Sequence, residues 1–114
     1  MISEISVLEL AEKLGSAEGF VLLDVREPWE LQRARLDDPR VANGPMSRLS
    51  ARGLAGLPEA ARRRDAEILV LCHHGVRSAD VTGWLASQGW SRVSSVAGGI
   101  DEYARMVDPS VGTY

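Results

Sequence analysis

Two spacings of apolar residues alternate along the chain. Phe20 to Leu23 is apolar throughout and Glu67 to Leu71 nearly so, the pattern of strands covered on both faces, and Val93 to Ala97 reads as a further strand. Between these runs the apolar positions recur every three or four residues. Val7, Leu10, Ala11 and Leu14 form one helical face, opened by a capping box of Ser6 and Glu9 and stopped by Gly15. Pro28 is tolerated at a first helical position, so a short helix is predicted from Trp29 to Leu36. Ser78 to Gln88 is a helix with Val81, Trp84 and Leu85 inward and Gly89 at its end. Gly98-Gly99 makes a tight turn before a last helix, which carries Ile100, Tyr103, Ala104 and Val107 on one side.

The middle of the chain is less regular. Within the turn-rich segment Asp37 to Pro45, Val41-Ala42 reads as a short strand between loops. Ser47 and Ser50 could each cap a helix running toward Leu54 and Leu57, which Gly53 and Gly56 weaken by about 1 kcal/mol apiece relative to alanine. Pro58 starts a helical turn from Glu59 to Arg64, with Arg62-Arg63-Arg64 as its solvated end. Strands alternating with helices at this spacing predict an α/β domain with a mostly parallel sheet and helices on both faces. Right-handed crossovers then bring the strand ends carrying Asp24 and Cys72 to one rim.

That rim holds the only cysteine. Leu69-Val70-Leu71-Cys72 gives way to the polar loop His73-His74-Gly75-Val76-Arg77-Ser78, so the thiol stands at a strand's C-terminal end just before a helix start. Open parallel sheets bind ligands there, and the free N–H groups of the helix favour anions, a thiolate included. With a single cysteine the chain has neither an internal disulfide nor a resolving thiol, so redox chemistry would need a second molecule.

Length and charge narrow the setting. The 114 residues, 45% hydrophobic, suit one domain spanning 1–114. No apolar stretch approaches the roughly 20 residues of a membrane helix. The start, Met1-Ile2-Ser3-Glu4, lacks the basic and apolar regions of a secretory signal, so a cytoplasmic location is expected. A formal charge of −3, with Lys13 the only lysine, suggests neither nucleic acid nor membrane as a partner.

The loop Cys72 to Ser78 resembles the active-site loop of rhodanese-like sulfurtransferases. Leu22-Leu23-Asp24-Val25-Arg26-Glu27 with Trp29-Glu30 is similar to that family's early strand and acidic stretch, and Val96-Ala97-Gly98-Gly99-Ile100 to its closing strand and glycine pair. The resemblance covers nearly the whole chain and implies a three-layer α/β/α domain. One segment departs from it: Arg35 to Ala42 stands where most members carry a Gly-His-Ile-Pro-Gly-Ala-like run, and it has no histidine.

What the resemblance implies is sulfur transfer, with no cofactor. Cys72 would attack the outer sulfur of a donor such as thiosulfate and hold a persulfide that a thiophilic acceptor removes. The N–H groups of His73, His74, Gly75, Val76, Arg77 and Ser78 would stabilise the sulfur anions, Arg77 would contact the donor's oxyanion, and Gly75 would supply a positive φ. Asp24 and Arg26 are expected to order the neighbouring loops, and Glu27 and Glu30 to act as helix N-terminal charges. Trp29, Trp84 and Trp90 are read as core or edge packing. Gly98-Gly99 serves the turn, though a close approach to the cysteine loop would also demand small residues.

Other chemistries stay in view. Cysteine phosphatases and arsenate reductases of related architecture place five residues between cysteine and arginine, whereas four separate Cys72 from Arg77. The shorter loop suits a sulfur atom better than a phosphate. No metal is expected, because Cys72, His73 and His74 are consecutive and no further cysteine or histidine completes a tetrahedral set. A sulfur carrier loaded by a partner such as a cysteine desulfurase, and a non-catalytic interaction module, are the alternatives from other classes.

Overall fold

The computed structural model describes residues 2–114; Met1, where the reading of the N-terminus begins, lies outside the described residues. Five strands form one sheet: β1 (Glu4–Ile5), β2 (Val21–Asp24), β3 (Val41–Asn43), β4 (Ile68–Leu71) and β5 (Val93–Val96), ordered β1-β5-β4-β2-β3. Every pairing is parallel, so the predicted mostly parallel sheet is wholly so. Asp24 stands opposite Leu71 in the register, which puts Asp24 and the following Cys72 at the same edge.

Alternation along the buried strands makes the two outer layers. Leu23, Ile68, Val70 and Cys72 face one way, onto Leu49, Leu57, Val81, Leu85 and Trp90. Leu22, Leu69, Leu71 and Val96 face the other, onto Val7, Leu10, Ile100 and Tyr103. Each fully buried leucine stabilises the fold by roughly 1.5–3 kcal/mol, so the two faces hold the sheet between the helices.

Among the described residues five α-helices cover the sheet: α1 (Val7–Leu14), α2 (Pro28–Leu31), α3 (Met46–Arg52), α4 (Val76–Ser87) and α5 (Gly99–Met106). In α1 the Ser6–Glu9 capping box is present in both directions. Lys13, in its last turn, reaches Glu18 and Glu67 at the sheet's opposite edge. Three-ten turns at Gly53–Gly56, Glu59–Ala61 and Pro109–Val111 fill the connections. Among the described residues no helix is long and apolar enough to cross a membrane.

Several elements differ from the sequence reading. α2 ends at Leu31 instead of Leu36, because Ala34 O accepts from Arg26 Nη1 at 2.8 Å and the Arg35 N–H goes to Val111 O. Neither Ser47 nor Ser50 caps α3. The helix starts at Met46 behind Pro45, and Glu27 accepts from both the N–H and the hydroxyl of Ser47. Gly53, at φ +60°, ends α3, and a three-ten turn carries the chain on to Leu57. The arginine triplet is not merely solvated: Arg62 donates to Leu57 O and Ala55 O, and Arg64 to Gln88 O. Trp90, at 3% exposure, is the buried tryptophan, whereas Trp84 is only partly covered. β1 escaped the sequence reading because two residues carry no periodicity.

Candidate active site

α4 begins at Val76, two residues earlier than the sequence suggests, because Gly75 turns into it at φ +101°. Arg77 and Ser78 therefore sit in the helix's first turn, and the link from β4 is only Cys72 to Gly75. The Cys72 side chain is fully buried. Its Sγ accepts from the N–H groups of Gly75 at 3.1 Å and Ser78 at 3.3 Å, while the thiol donates to Ser78 Oγ at 3.4 Å. Of the six loop N–H groups named for the cradle, these two reach the sulfur. Ser78 Oγ pairs in turn with Ser95 Oγ at 2.8 Å, both residues being fully buried. That hydroxyl relay was not found from sequence; its only trace is a serine at an inward position of β5.

The glycine pair fixes the loop from behind. The N–H groups of Ile100 and Asp101 donate to Cys72 O and His73 O at 2.9 and 3.1 Å. A Cβ on Gly99 would collide with those same carbonyls, and one on Gly75 would lie 3.0 Å from Gly98 N. Close approach, and not the turn alone, is therefore why small residues stand there.

Arg77 faces a partner that sequence spacing does not reveal. Its Nη1 and Nη2 donate to the two carboxylate oxygens of Glu30, each at 2.8 Å. Glu30 is 3% exposed and also accepts from the Glu27 N–H and the Tyr114 hydroxyl. The Arg77 fork holds the Glu30 carboxyl down at about 2, against the desolvation that would raise it. This pairing supports folding fully above the ordinary carboxyl value near 4.5 and is lost as the pH falls toward 2. Glu30 is thus more than a helix charge.

Asp24 and Arg26 form a buried knot below this pair. Arg26 Nη2 lies 2.7 Å from Asp24 Oδ2, and its Nη1 reaches Ala34 O and the Tyr114 hydroxyl. Asn43 ties β3 to the same corner by donating to Asp24 O and Arg26 O.

An aromatic run crosses the rim. Tyr114 stacks on His73 with centroids 3.8 Å apart and planes 9° from parallel, His74 lies against the same imidazole, and Trp29 meets Tyr114 edge-on. Burial, and then the neighbouring His74, push the His73 pKa below its ordinary value. His73, His74 and Asp101 bring ligand atoms within 4.8 Å of one another. The two imidazoles are tilted 31° to each other with centroids 3.8 Å apart. Trp29 is 58% exposed and Val76 71%, so the rim also presents apolar surface.

The chain is similar to known proteins over nearly its full length. It is 35% identical over 118 residues to the chloroplastic rhodanese-like/PpiC domain-containing protein 12 of Arabidopsis thaliana, with 99% of this chain aligned to 38% of that one. A sulfurtransferase of Allochromatium vinosum is 30% identical over 105 residues, covering 92% of this chain and 91% of its own. The crystal structure of a rhodanese-related protein from Thermoplasma volcanium superposes with a TM-score of 0.73 at 30% identity, over 92% and 93% of the two chains. Residues 6–106 match the rhodanese-like domain family. That span runs from the cap of α1 to the last residue of α5 and omits only β1 of the sheet, and the chain belongs to the rhodanese-like family.

Proposed function

We propose that the protein is a sulfurtransferase that carries sulfane sulfur on Cys72. The observation that carries this reading is the sulfur itself: a lone Cys72 Sγ held by two backbone N–H groups at a helix start. Those donors are aimed at the atom that carries negative charge during sulfur transfer. The thiolate attacks the outer sulfur of a sulfane donor, thiosulfate or a persulfide, and the donor's remaining electron pair leaves as sulfite or as a thiolate. A thiophilic acceptor, cyanide in the assay, then takes the outer sulfur and restores Cys72. Ser78 keeps a hydroxyl within reach of the sulfur through both halves, with Ser95 behind it.

A second reading, a sulfur carrier loaded by another protein such as a cysteine desulfurase, has the exposed Trp29 and Val76 in its favour. Intact mass after incubation with thiosulfate or an organic persulfide tests the core of both. The expected result is a gain of one sulfur that cyanide removes as thiocyanate, with both steps abolished by Cys72→Ser. A wild-type chain that gains no sulfur from any sulfane donor overturns the reading.

A further inference from the structure

We infer that Glu30 is a specificity-determining residue: by binding both terminal nitrogens of Arg77 it neutralises the loop's own cation and turns the site toward organic persulfides, R–S–SH, over dianionic inorganic donors. This rests on the sulfur-transfer reading and refines the donor of that same site.

The charges around Cys72 support it. Arg77 is the loop's own cation, and its bidentate pairing with Glu30 carries no net charge, although its outer N–H groups keep their hydrogen-bonding capacity. Arg26 is fully buried and paired with Asp24. Arg105 is paired with Asp101 at 3.2 Å, and Asp101 also faces His74 at 3.8 Å. The loop also carries the partial charge of α4's first turn, about half a unit. Two of the N–H groups there, Gly75 and Ser78, already serve Sγ. A dianion approaching a thiolate therefore meets two like charges without compensation, whereas an organic persulfide brings one as R–S–S⁻ and none in the protonated form, R–S–SH, that reacts.

The rim suits such a donor as well. The exposed ends of the aromatic run, Trp29 and His74, offer surface to the R group. The transfer balances without a further reactant: the Sγ–S bond forms, the R–S–SH bond breaks, and the sulfur moves with its proton to give Cys72–S–SH. The electron pair leaves on RS⁻.

Loading rates with thiosulfate, cysteine persulfide and a persulfidated cysteine desulfurase test this on the wild-type chain and on Glu30→Gln. In the wild type, kcat/KM for at least one persulfide exceeds that for thiosulfate by about tenfold or more, the scale of one charge-assisted contact. Which persulfide leads tells whether R is a small thiol or a protein. In Glu30→Gln the freed guanidinium lowers the thiosulfate KM and narrows that ratio by about tenfold, with a smaller change in kcat. A wild-type preference for thiosulfate, or an unchanged ratio in a folded Glu30→Gln, overturns the inference while leaving sulfur transfer intact. Loading from no donor at all overturns sulfur transfer itself. Should Glu30→Gln fail to fold, competition in the wild type decides. Persulfide loading is expected to be indifferent to sulfate at chloride-matched ionic strength, and inhibition specific to sulfate refutes the claim.

Discussion

The same three-residue device closes both edges of the sheet. At the rim that carries Cys72, Arg26 donates its backbone N–H, Nε and Nη2 to Asp24, two residues before it. At the opposite edge, Arg40 does the same to Asp38, again two residues before it. Each guanidinium then reaches outward to carbonyls: Arg26 to Ala34 O, Arg40 to Leu14 O, Ser16 O and Glu18 O. The difference lies in what the free side touches. Arg40 stacks over Phe20 at 4.6 Å and fastens the end of α1, whereas Arg26 touches Tyr114, which donates to Glu30, which holds Arg77. One motif is a clasp at one edge and the base of the site at the other.

Breaking each knot separates the two roles. Arg26→Ala leaves a buried aspartate without its cation, and the expected loss is ~3–5 kcal/mol of stability in urea unfolding, with slowed sulfur loading in whatever remains folded. Arg40→Ala orphans carbonyls at a partly solvated edge, so its loss in the same measurement is smaller and its loading rate matches the wild type. A loading defect in a stable Arg40→Ala chain would erase the distinction between the edges. Tyr114→Phe sharpens it further. Removing the hydroxyl between Arg26 and Glu30 is expected to cost about 0.5–1.5 kcal/mol and to shift the thiosulfate-to-persulfide ratio in the direction of Glu30→Gln, by less.

The two edges were also unequally legible in the sequence. Around Cys72 the residues are contiguous and their spacing carries the chemistry, so the strand, the turn at Gly75 and the rim shared with Asp24 could be read directly. Glu30 could be read only as a helix charge, because its partner Arg77 lies 47 residues away and nothing local marks the pairing. Tyr114 has no periodic context at all, and it reaches the site only because the segment after α5 folds back, with Val111 O accepting from the Arg35 N–H. The stretch around Asp38 looked irregular since its order comes from side chain to backbone bonds, which hydrophobic spacing does not register. Its signal was nonetheless present: Asp38-Pro39-Arg40 repeats the pattern of Asp24-Val25-Arg26.

The contact between the cysteine loop and the Gly98-Gly99 turn bears on how this scaffold can evolve. Cys72 O and His73 O are each bonded to the start of α5, and Gly75 lies against Gly98, so the loop is gripped at both ends of its tightest arc. Lengthening it by one residue, as a phosphate-sized cradle requires, is expected to disturb those contacts. A longer loop needs a matching change at the Gly98-Gly99 turn, more than twenty residues further along the sequence.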